Sequence, residues 1–261
     1  MKKFIAFPIL LSLAFCLLTG CSYKTYYQVY QTHPVEEGQY SVSNNAIAFE
    51  NDGCTVLYNF FGKGGDGSFT FVNNTDSIVY ISLSESFFIL NNVAKDYYLS
   101  REWTNSKSQT NNSVSEKVKN GKSMAKSTSV TSQESTTFHE RGVVIVPPRS
   151  LKNVSEYTIN NERIDLCGLK VKPMRGKPSG TSFTASDSPI KFGNYVTYRV
   201  GMNGKAQHVD NRFYVSEIIN VHRKSMFDKV RAKDACGKVK GDKIKVIKYS
   251  TADRFYITYS K

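Results

Sequence analysis

The feature that most constrains the fold is a two-residue alternation of apolar and polar side chains that recurs along the chain. Val79, Ile81 and Leu83 alternate with Tyr80, Ser82 and Ser84, as a strand with one buried face requires. Gly, Asn and Pro clusters separate the apolar runs, and such residues favour turns. The pattern predicts an all-β fold of sandwich-like antiparallel sheets with little helix. The other β-branched and aromatic runs cover residues 55–61, 68–72, 87–90, 142–146, 156–159, 195–200, 212–221, 243–249 and 254–259.

A long polar segment interrupts this pattern. Residues 104–137 are mostly Ser, Thr, Asn, Lys and Gln, so they cannot bury enough surface to offset the entropy of ordering. The segment is either a disordered excursion between two strands or a linker between two units. We favour the excursion, because the strands before it have too few apolar faces to close a sandwich alone. We therefore predict a single β domain over residues 46–261 with a flexible insertion at 104–137, and one short helix at 225–236.

The start of the chain has the layout of an export signal. Two lysines precede an apolar run over residues 4–18, which is shorter than the about 20 residues that a membrane-spanning helix needs. The run ends in Leu18-Thr19-Gly20-Cys21. This motif resembles the lipobox of bacterial lipoproteins, in which a Leu, two small residues and a Cys are read by a dedicated signal peptidase. The resemblance covers only these first residues, and no family is recognised for the rest of the chain.

The resemblance implies that residues 1–20 are a cleaved signal peptide and that Cys21 is acylated. Two or more acyl chains hold a protein stably, since each buried CH₂ contributes about 0.8 kcal/mol, so a membrane is the first predicted partner. Ser22, where an inner-membrane lipoprotein has Asp, implies the outer membrane. The absence of acidic residues over 22–26 favours the side that faces the periplasm.

Residues 21–45 are predicted to be a lipid tether and a Tyr-rich lead. Tyr is enriched at membrane interfaces, so these side chains are candidates for resting there. An edge strand or a packed tail is an equally good interpretation. The tyrosines concerned are Tyr23, Tyr26, Tyr27 and Tyr30.

The charge is distributed unevenly along the chain. Residues 22–103 carry 4 basic and 9 acidic side chains, whereas residues 222–261 carry 12 basic and 4 acidic ones. A basic region can bind nucleic acid, but an exported lipoprotein rarely meets it, so we predict no nucleic-acid partner. Anionic lipid is a nearer candidate, since each Lys or Arg close to an anionic surface contributes about 1 kcal/mol. The alternative is a solvated basic face that only maintains solubility.

Three cysteines remain in the mature chain beside the lipidated one. An oxidising compartment permits one disulfide among them, in three possible pairings. Cys54 lies in a strand pattern and is a candidate buried residue. Cys167 and Cys236 each precede a Gly in a turn-like context and are the favoured pair. None of the three has the spacing of zinc ligands, and we predict no metal site and no cofactor.

The sequence contains no motif that identifies a catalytic residue. The Gly-rich stretch 62–68 has its Lys too early for a phosphate-binding loop and leads into a strand, so it predicts a hairpin loop. His33, His139, His208 and His222 lack the partners of a zinc protease or a serine hydrolase. We interpret them as structural or surface residues.

Trp103, the sole Trp, stands beside the polar segment. Together with Tyr97, Tyr98 and Arg101 it forms either a recognition patch for sugar or protein, or the closed end of a core.

The sequence therefore favours a lipid-anchored cell-envelope protein that acts as a non-enzymatic binding or scaffolding module. Its partner is an envelope protein, a glycan or an anionic lipid. The alternative is an exported hydrolase acting on a polysaccharide or peptide, which would need a deep pocket with two carboxylates or a Cys–His pair. A third hypothesis is a membrane-facing module that uses the basic C-terminal region.

Overall fold

The computed structural model describes residues 24–36, 40–43, 45–119, 122–234 and 236–261. Within these ranges the regular structure is β-strand except for one 3-10 turn at Arg223–Ser225. The all-β prediction is confirmed. The strands are β1 (Thr25–Pro34), β2 (Tyr40–Val42), β3 (Ile47–Asn51), β4 (Cys54–Tyr58), β5 (Phe69–Asn73), β6 (Val79–Leu90), β7 (Val93–Asp96), β8 (Glu102–Lys119), β9 (Lys122–His139), β10 (Val143–Val146), β11 (Leu151–Val154), β12 (Ser179–Ser182), β13 (Lys191–Val200), β14 (Gln207–His222), β15 (Phe227–Lys233), β16 (Val239–Ile247) and β17 (Arg254–Ser260).

The strands form two large sheets and two separate hairpins. The larger sheet has the order β10-β6-β13-β14-β1-β17, with β12 paired to β14 and β7 paired to β6. The smaller sheet has the order β11-β5-β4-β3-β2. The hairpins are β8–β9 and β15–β16. The pairs within all four sheets are antiparallel, as predicted.

The two large sheets share one apolar core. The alternation read from the sequence sends Val79, Ile81 and Leu83 of β6 into it, together with alternate residues of β4 and β5. Aromatic rings fill its centre: the rings of Phe60 and Phe213 meet edge to face with centroids 4.8 Å apart. Such pairs contribute beyond their buried area.

The Tyr-rich lead is part of the body. Residues 25–34 form β1, which lies between β14 and β17 with both neighbours paired, so the predicted tether is wrong for these residues. The alternative of a strand is correct, although the strand is interior to the sheet. Tyr26 and Tyr30 are buried and Tyr27 is half-buried, because the strand sends its aromatic side chains into the body of the protein. Tyr23 lies outside the described residues.

The segment predicted to be disordered is a long hairpin. Strands β8 and β9, of 18 residues each, pair from Glu102↔His139 to Lys119↔Lys122. At about 3.3 Å per residue the hairpin is about 60 Å long. Composition suggested disorder because few apolar groups are available, whereas in the hairpin the two segments satisfy each other's backbone hydrogen-bonding groups.

The predicted helix at 225–236 is wrong. The chain makes the short turn Arg223–Ser225 and then enters β15, which pairs with β16 from Phe227↔Ile247 onward. Helix propensity is a weak preference, and cross-strand pairing overrides it here.

Candidate functional site

An open cavity of about 430 Å³ lies at the root of the β15–β16 hairpin, and we call it the basic cavity. Small-molecule sites typically have volumes of about 300–1,000 Å³. Five cations and one aromatic ring surround it. They are Arg175 from the loop before β12, Arg223 and Lys224 from the 3-10 turn, and Phe227, Lys229 and Lys245 from the hairpin.

The hairpin presents its cations as opposed pairs. Lys229 lies directly across from Lys245, and Arg231 lies directly across from Lys243. Alternate positions share a face, so these four cations project from the same side of the hairpin. Like charges placed directly opposite each other destabilise a strand pair. Repulsion between these cations therefore destabilises the hairpin in the free protein. An anion bound between the pairs would offset that repulsion.

The root of the hairpin is anchored on a small apolar cluster. Phe227 packs edge to face on Tyr27 of β1, with ring centroids 5.9 Å apart. Met226 is fully buried between Val29 and Val221, and its carbonyl accepts a hydrogen bond of 2.9 Å from the Lys248 amide. These contacts hold one wall of the cavity against the body.

One hydrogen bond connects two walls of the cavity, and a second one caps the 3-10 turn. The Gly176 amide donates to Ser225 Oγ at 2.9 Å, which places the Arg175 loop beside the 3-10 turn. The Lys224 amide donates to His222 Nδ1 at 3.1 Å and so caps the same turn. Residues far apart in sequence are thereby held around one space.

The electrostatics around His222 indicate a positive region. Partial burial lowers the pKa of this imidazole, and the charges of Lys224, Lys24 and Arg175 lower it further. An imidazolium is disfavoured where cations are already close. His222 is thus a native reporter of the charge near the basic cavity.

The cations of the basic cavity have no acidic partners among the described side chains. Elsewhere Arg149, Arg163, Arg199 and Arg212 each form an ion pair with a nearby carboxylate. Five neighbouring cations without such pairs create a positive potential that attracts anions. The arrangement fits a site for a phosphate, sulfate or carboxylate group.

The basic cavity lies at the end of the larger sheet where β1 begins. Tyr26 is the register partner of His222, and Thr25 is the partner of Ser260. Cys21 precedes Lys24 by three residues, a reach of about 10 Å. Cys21 itself lies outside the described residues.

The three cysteines that the structure describes form no disulfide. Cys167 and Cys236 are exposed, and the predicted disulfide between them is not formed. They lie in different connections, one in the loop between β11 and β12 and the other in the turn between β15 and β16. Cys54 is buried in β4, as its strand pattern indicated, and its thiol donates to the Tyr198 hydroxyl at 3.4 Å. Burial raises the pKa of this thiol.

The features required by a hydrolase do not assemble among the described residues. His208 bonds to Thr197 at 3.1 Å and His139 lies 3.1 Å from Glu102, while no described histidine contacts a cysteine through a hydrogen bond. Glu36 and Glu50 do border a common cavity, but its volume is about 40 Å³. That volume is far below the size of a small-molecule site.

The aromatic group before the polar segment divides into two parts. Tyr97 is buried in the core, whereas Trp103 is 48% exposed and lies across from Phe138, which is 52% exposed. The recognition-patch interpretation therefore excludes Tyr97, while Tyr98 and Arg101 are half-buried. The Arg101 guanidinium lies 5.6 Å from the centroid of the Trp103 ring.

An ionic cluster fixes the base of the β8–β9 hairpin. Arg101 binds both carboxylate oxygens of Glu156 at 2.8 Å and one oxygen of Glu140 at 2.7 Å. Burial acts to raise the pKa of Glu140, but hydrogen bonds from the Arg101 guanidinium and from the Arg101 and Leu99 amides lower it overall. The two chain ends of the hairpin are thus held together on the body.

The Gly-rich stretch connects the paired strands β4 and β5, so the predicted hairpin loop is confirmed. Its backbone packs against the core: the Gly64 amide donates to the Tyr256 carbonyl at 2.9 Å. Gly65 has a φ of +76°, and a Cβ at this position would lie 2.8 Å from the Phe255 ring. Only glycine fits this turn.

The fold and the site define a nearly all-β protein with an open cationic cavity. No protein-family model matches the sequence, and no curated protein matches it. One solved structure that is weakly similar is the Clostridium perfringens NetB toxin in its membrane-inserted form, at 6% identity over 77% of this chain and 97% of that chain. The TM-score is 0.13, which is too low to indicate a shared fold.

Among the residues that the structure describes, no helix is long and apolar enough to cross a membrane. No group of three or more His, Cys, Asp and Glu side chains within them is placed to hold a metal ion.

Sequence reasoning identified part of the basic cavity. The charge excess over residues 222–261 indicated a positive region, and four of its five cations come from there. Arg175 was missed, because nothing in its local sequence indicates that its loop docks on the 3-10 turn. Net charge alone does not show which side chains meet in space.

Proposed function

We propose that this chain is a lipid-anchored cell-envelope protein that acts without catalysis, as a binding module whose basic cavity takes an anionic partner. The proposed attachment is through acylated Cys21, in the outer membrane on its periplasmic side. The lipobox-like motif supports the anchor, and Ser22 supports the outer membrane. The exported hydrolase is not proposed, since no described pocket suits it.

One observation carries the binding proposal. The hairpin keeps Lys229 against Lys245 and Arg231 against Lys243, although like charges in these positions oppose pairing. Among the described side chains no carboxylate within ion-pair distance offsets these four charges. A protein that only needed solubility could place them apart on its surface, so their juxtaposition supports a binding role.

The anchor is tested by the mass of the native protein. We expect the membrane-extracted chain to begin at Cys21 and to carry added acyl mass. A Cys21→Ala variant should retain residues 1–20 and lack that mass, because no thiol is available to form the thioether. A Cys16→Ala variant is the matched control and should be processed and acylated normally. Acyl mass on the Cys21→Ala protein would contradict the proposal.

The basic cavity is tested by retention on an immobilised sulfated polysaccharide, a general polyanion. A Lys229→Gln/Lys245→Gln double variant in neutral detergent should elute at clearly lower salt than the native lipoprotein. The control is Lys152→Gln/Lys205→Gln, which makes the same change in net charge at exposed positions outside the cavity. If both double variants shift equally, retention reflects net charge alone and the binding role of the cavity is wrong.

A further inference from the structure

We infer that the ligand of the basic cavity is the phosphate-bearing headgroup of an anionic lipid in the leaflet that holds Cys21. This inference rests on the proposed function, since it names the ligand of the same site. It assigns the protein a second, non-covalent hold on the membrane, made in addition to its acyl chains.

Location is the first argument. Arg223 and Lys224 of the cavity directly follow His222, which is the register partner of Tyr26 near the start of β1. The charge of Lys24 also lowers the pKa of His222. An anchor at Cys21 limits Lys24, the residue directly before β1, to within about 10 Å of the acylated residue. The Debye length is about 8 Å at physiological ionic strength, so cations held this close act on the headgroups without full screening.

The chemistry of the lining is the second argument. Arg175 and Arg223 provide two guanidinium groups, which bind phosphate oxygens in a bidentate manner. Three lysines add point charges that are suited to a phosphate of variable orientation. Phe227 is the single apolar side chain in the lining and offers a surface for the glycerol and upper acyl region of a lipid. A free inorganic anion would not need such a surface.

The second face of the hairpin is the third argument. Val230 and Ile244 are register partners on the side opposite Lys229, and they are 40% and 48% exposed. An exposed aliphatic pair on a lysine-rich hairpin is typical of segments that lie in the headgroup region, where cations meet phosphates and apolar groups enter the acyl boundary. Asp228 is an exposed acidic residue on the same face of β15. The two faces together match a membrane surface better than a soluble polyanion.

The experiment is a lipid titration of the purified, acylated protein in neutral detergent, read by native mass spectrometry. The probes are phosphatidic acid and phosphatidylcholine, with inorganic phosphate as a competitor. We expect one phosphatidic acid to bind, and the Lys229→Gln/Lys245→Gln variant to bind it about 30-fold more weakly, from about 1 kcal/mol per lysine. The Lys152→Gln/Lys205→Gln control should bind as the native protein does.

His222 provides a second readout that a purely structural defect does not mimic. Its pKa is lowered by burial and by neighbouring cations, so a bound phosphate should raise it towards the ordinary value. An NMR titration with and without phosphatidic acid measures this change. An unaltered His222 pKa at saturating lipid would place the lipid elsewhere and overturn the inference.

The outcomes separate the inference from the proposed function. Retention on the polyanion that depends on Lys229 and Lys245, without binding of phosphatidic acid, would retain the anionic site and reject the lipid. Competition by inorganic phosphate at the same concentration as the lipid would also reject it, in favour of a soluble phosphate. If the native membrane-extracted protein carries no acyl mass but still binds phosphatidic acid, the headgroup site would be retained and the anchor rejected.

Discussion

Replacement of Phe213 by Ala is expected to destabilise the protein by about 3–5 kcal/mol, the usual cost of removing a fully buried Phe. The ring is 0% exposed. Its centroid lies 4.8 Å from that of Phe60, 5.0 Å from that of Tyr58 and 5.4 Å from that of Phe192. Phe213 belongs to β14 and Tyr58 to β4, so the cavity left behind would lie where the two large sheets meet. The urea midpoint of unfolding should fall sharply.

The control uses the same substitution at an exposed ring. Phe138→Ala removes a side chain that is 52% exposed on the β8–β9 hairpin, and its effect should stay within about 0.5 kcal/mol. Both variants lose the same atoms, so a difference between their unfolding free energies reports only whether the ring lies in the core. Equal losses at the two positions would contradict the sheet packing described above.

The second large effect is expected at Gln28, within the segment that the sequence presented as a tether. Its amide donates to the Ile164 carbonyl at 2.9 Å and to Asn220 Oδ1 at 3.0 Å. Its carbonyl oxygen accepts from the Ile164 amide at 2.8 Å and from the Tyr30 hydroxyl. Gln28→Leu keeps the volume but leaves several buried groups without this partner, so we expect a loss of about 3 kcal/mol in unfolding free energy.

Gln31→Leu is the matched control on the same strand. The Gln31 side chain accepts one partly exposed hydrogen bond from Arg254, at 3.0 Å, and its removal should cost about 1 kcal/mol. Urea unfolding of the two variants gives the comparison. A neutral Gln28→Leu substitution would mean that residues 25–34 do not pack as a strand in solution, and the tether interpretation would return.

The success of prediction from the sequence varies from one element of the fold to the next. The alternation around Val79, Ile81 and Leu83 predicted a strand with a buried face, and β6 has one. The helix predicted at 225–236 does not form, because Lys, Val, Arg and Ala occur in both helices and strands and only the pairing of β15 with β16 selects between them. Composition likewise misjudged residues 104–137, since it measures the capacity to form a core and not the ability of two segments to pair.

The candidate site was likewise only partly predictable from the sequence. Lys229, Lys243 and Lys245 belong to a stretch whose positive charge is evident from the sequence. Their opposition across two strands depends on the register of β15 and β16, which the sequence does not state. Arg175 reaches the site beside a hydrogen bond from the next residue, Gly176, to Ser225, which is 49 residues further along the chain.

The amino-acid sequence by itself determined the strand-forming segments, the turns between them and the charge of the C-terminal region. These are local properties, set by side-chain periodicity and residue type. Only the tertiary structure decided that β1 is an interior strand, that the cysteines Cys167 and Cys236 stay apart and that five cations surround one cavity. Each of these depends on contacts between residues distant in the chain, where the choice of partner follows from the packing of the whole fold.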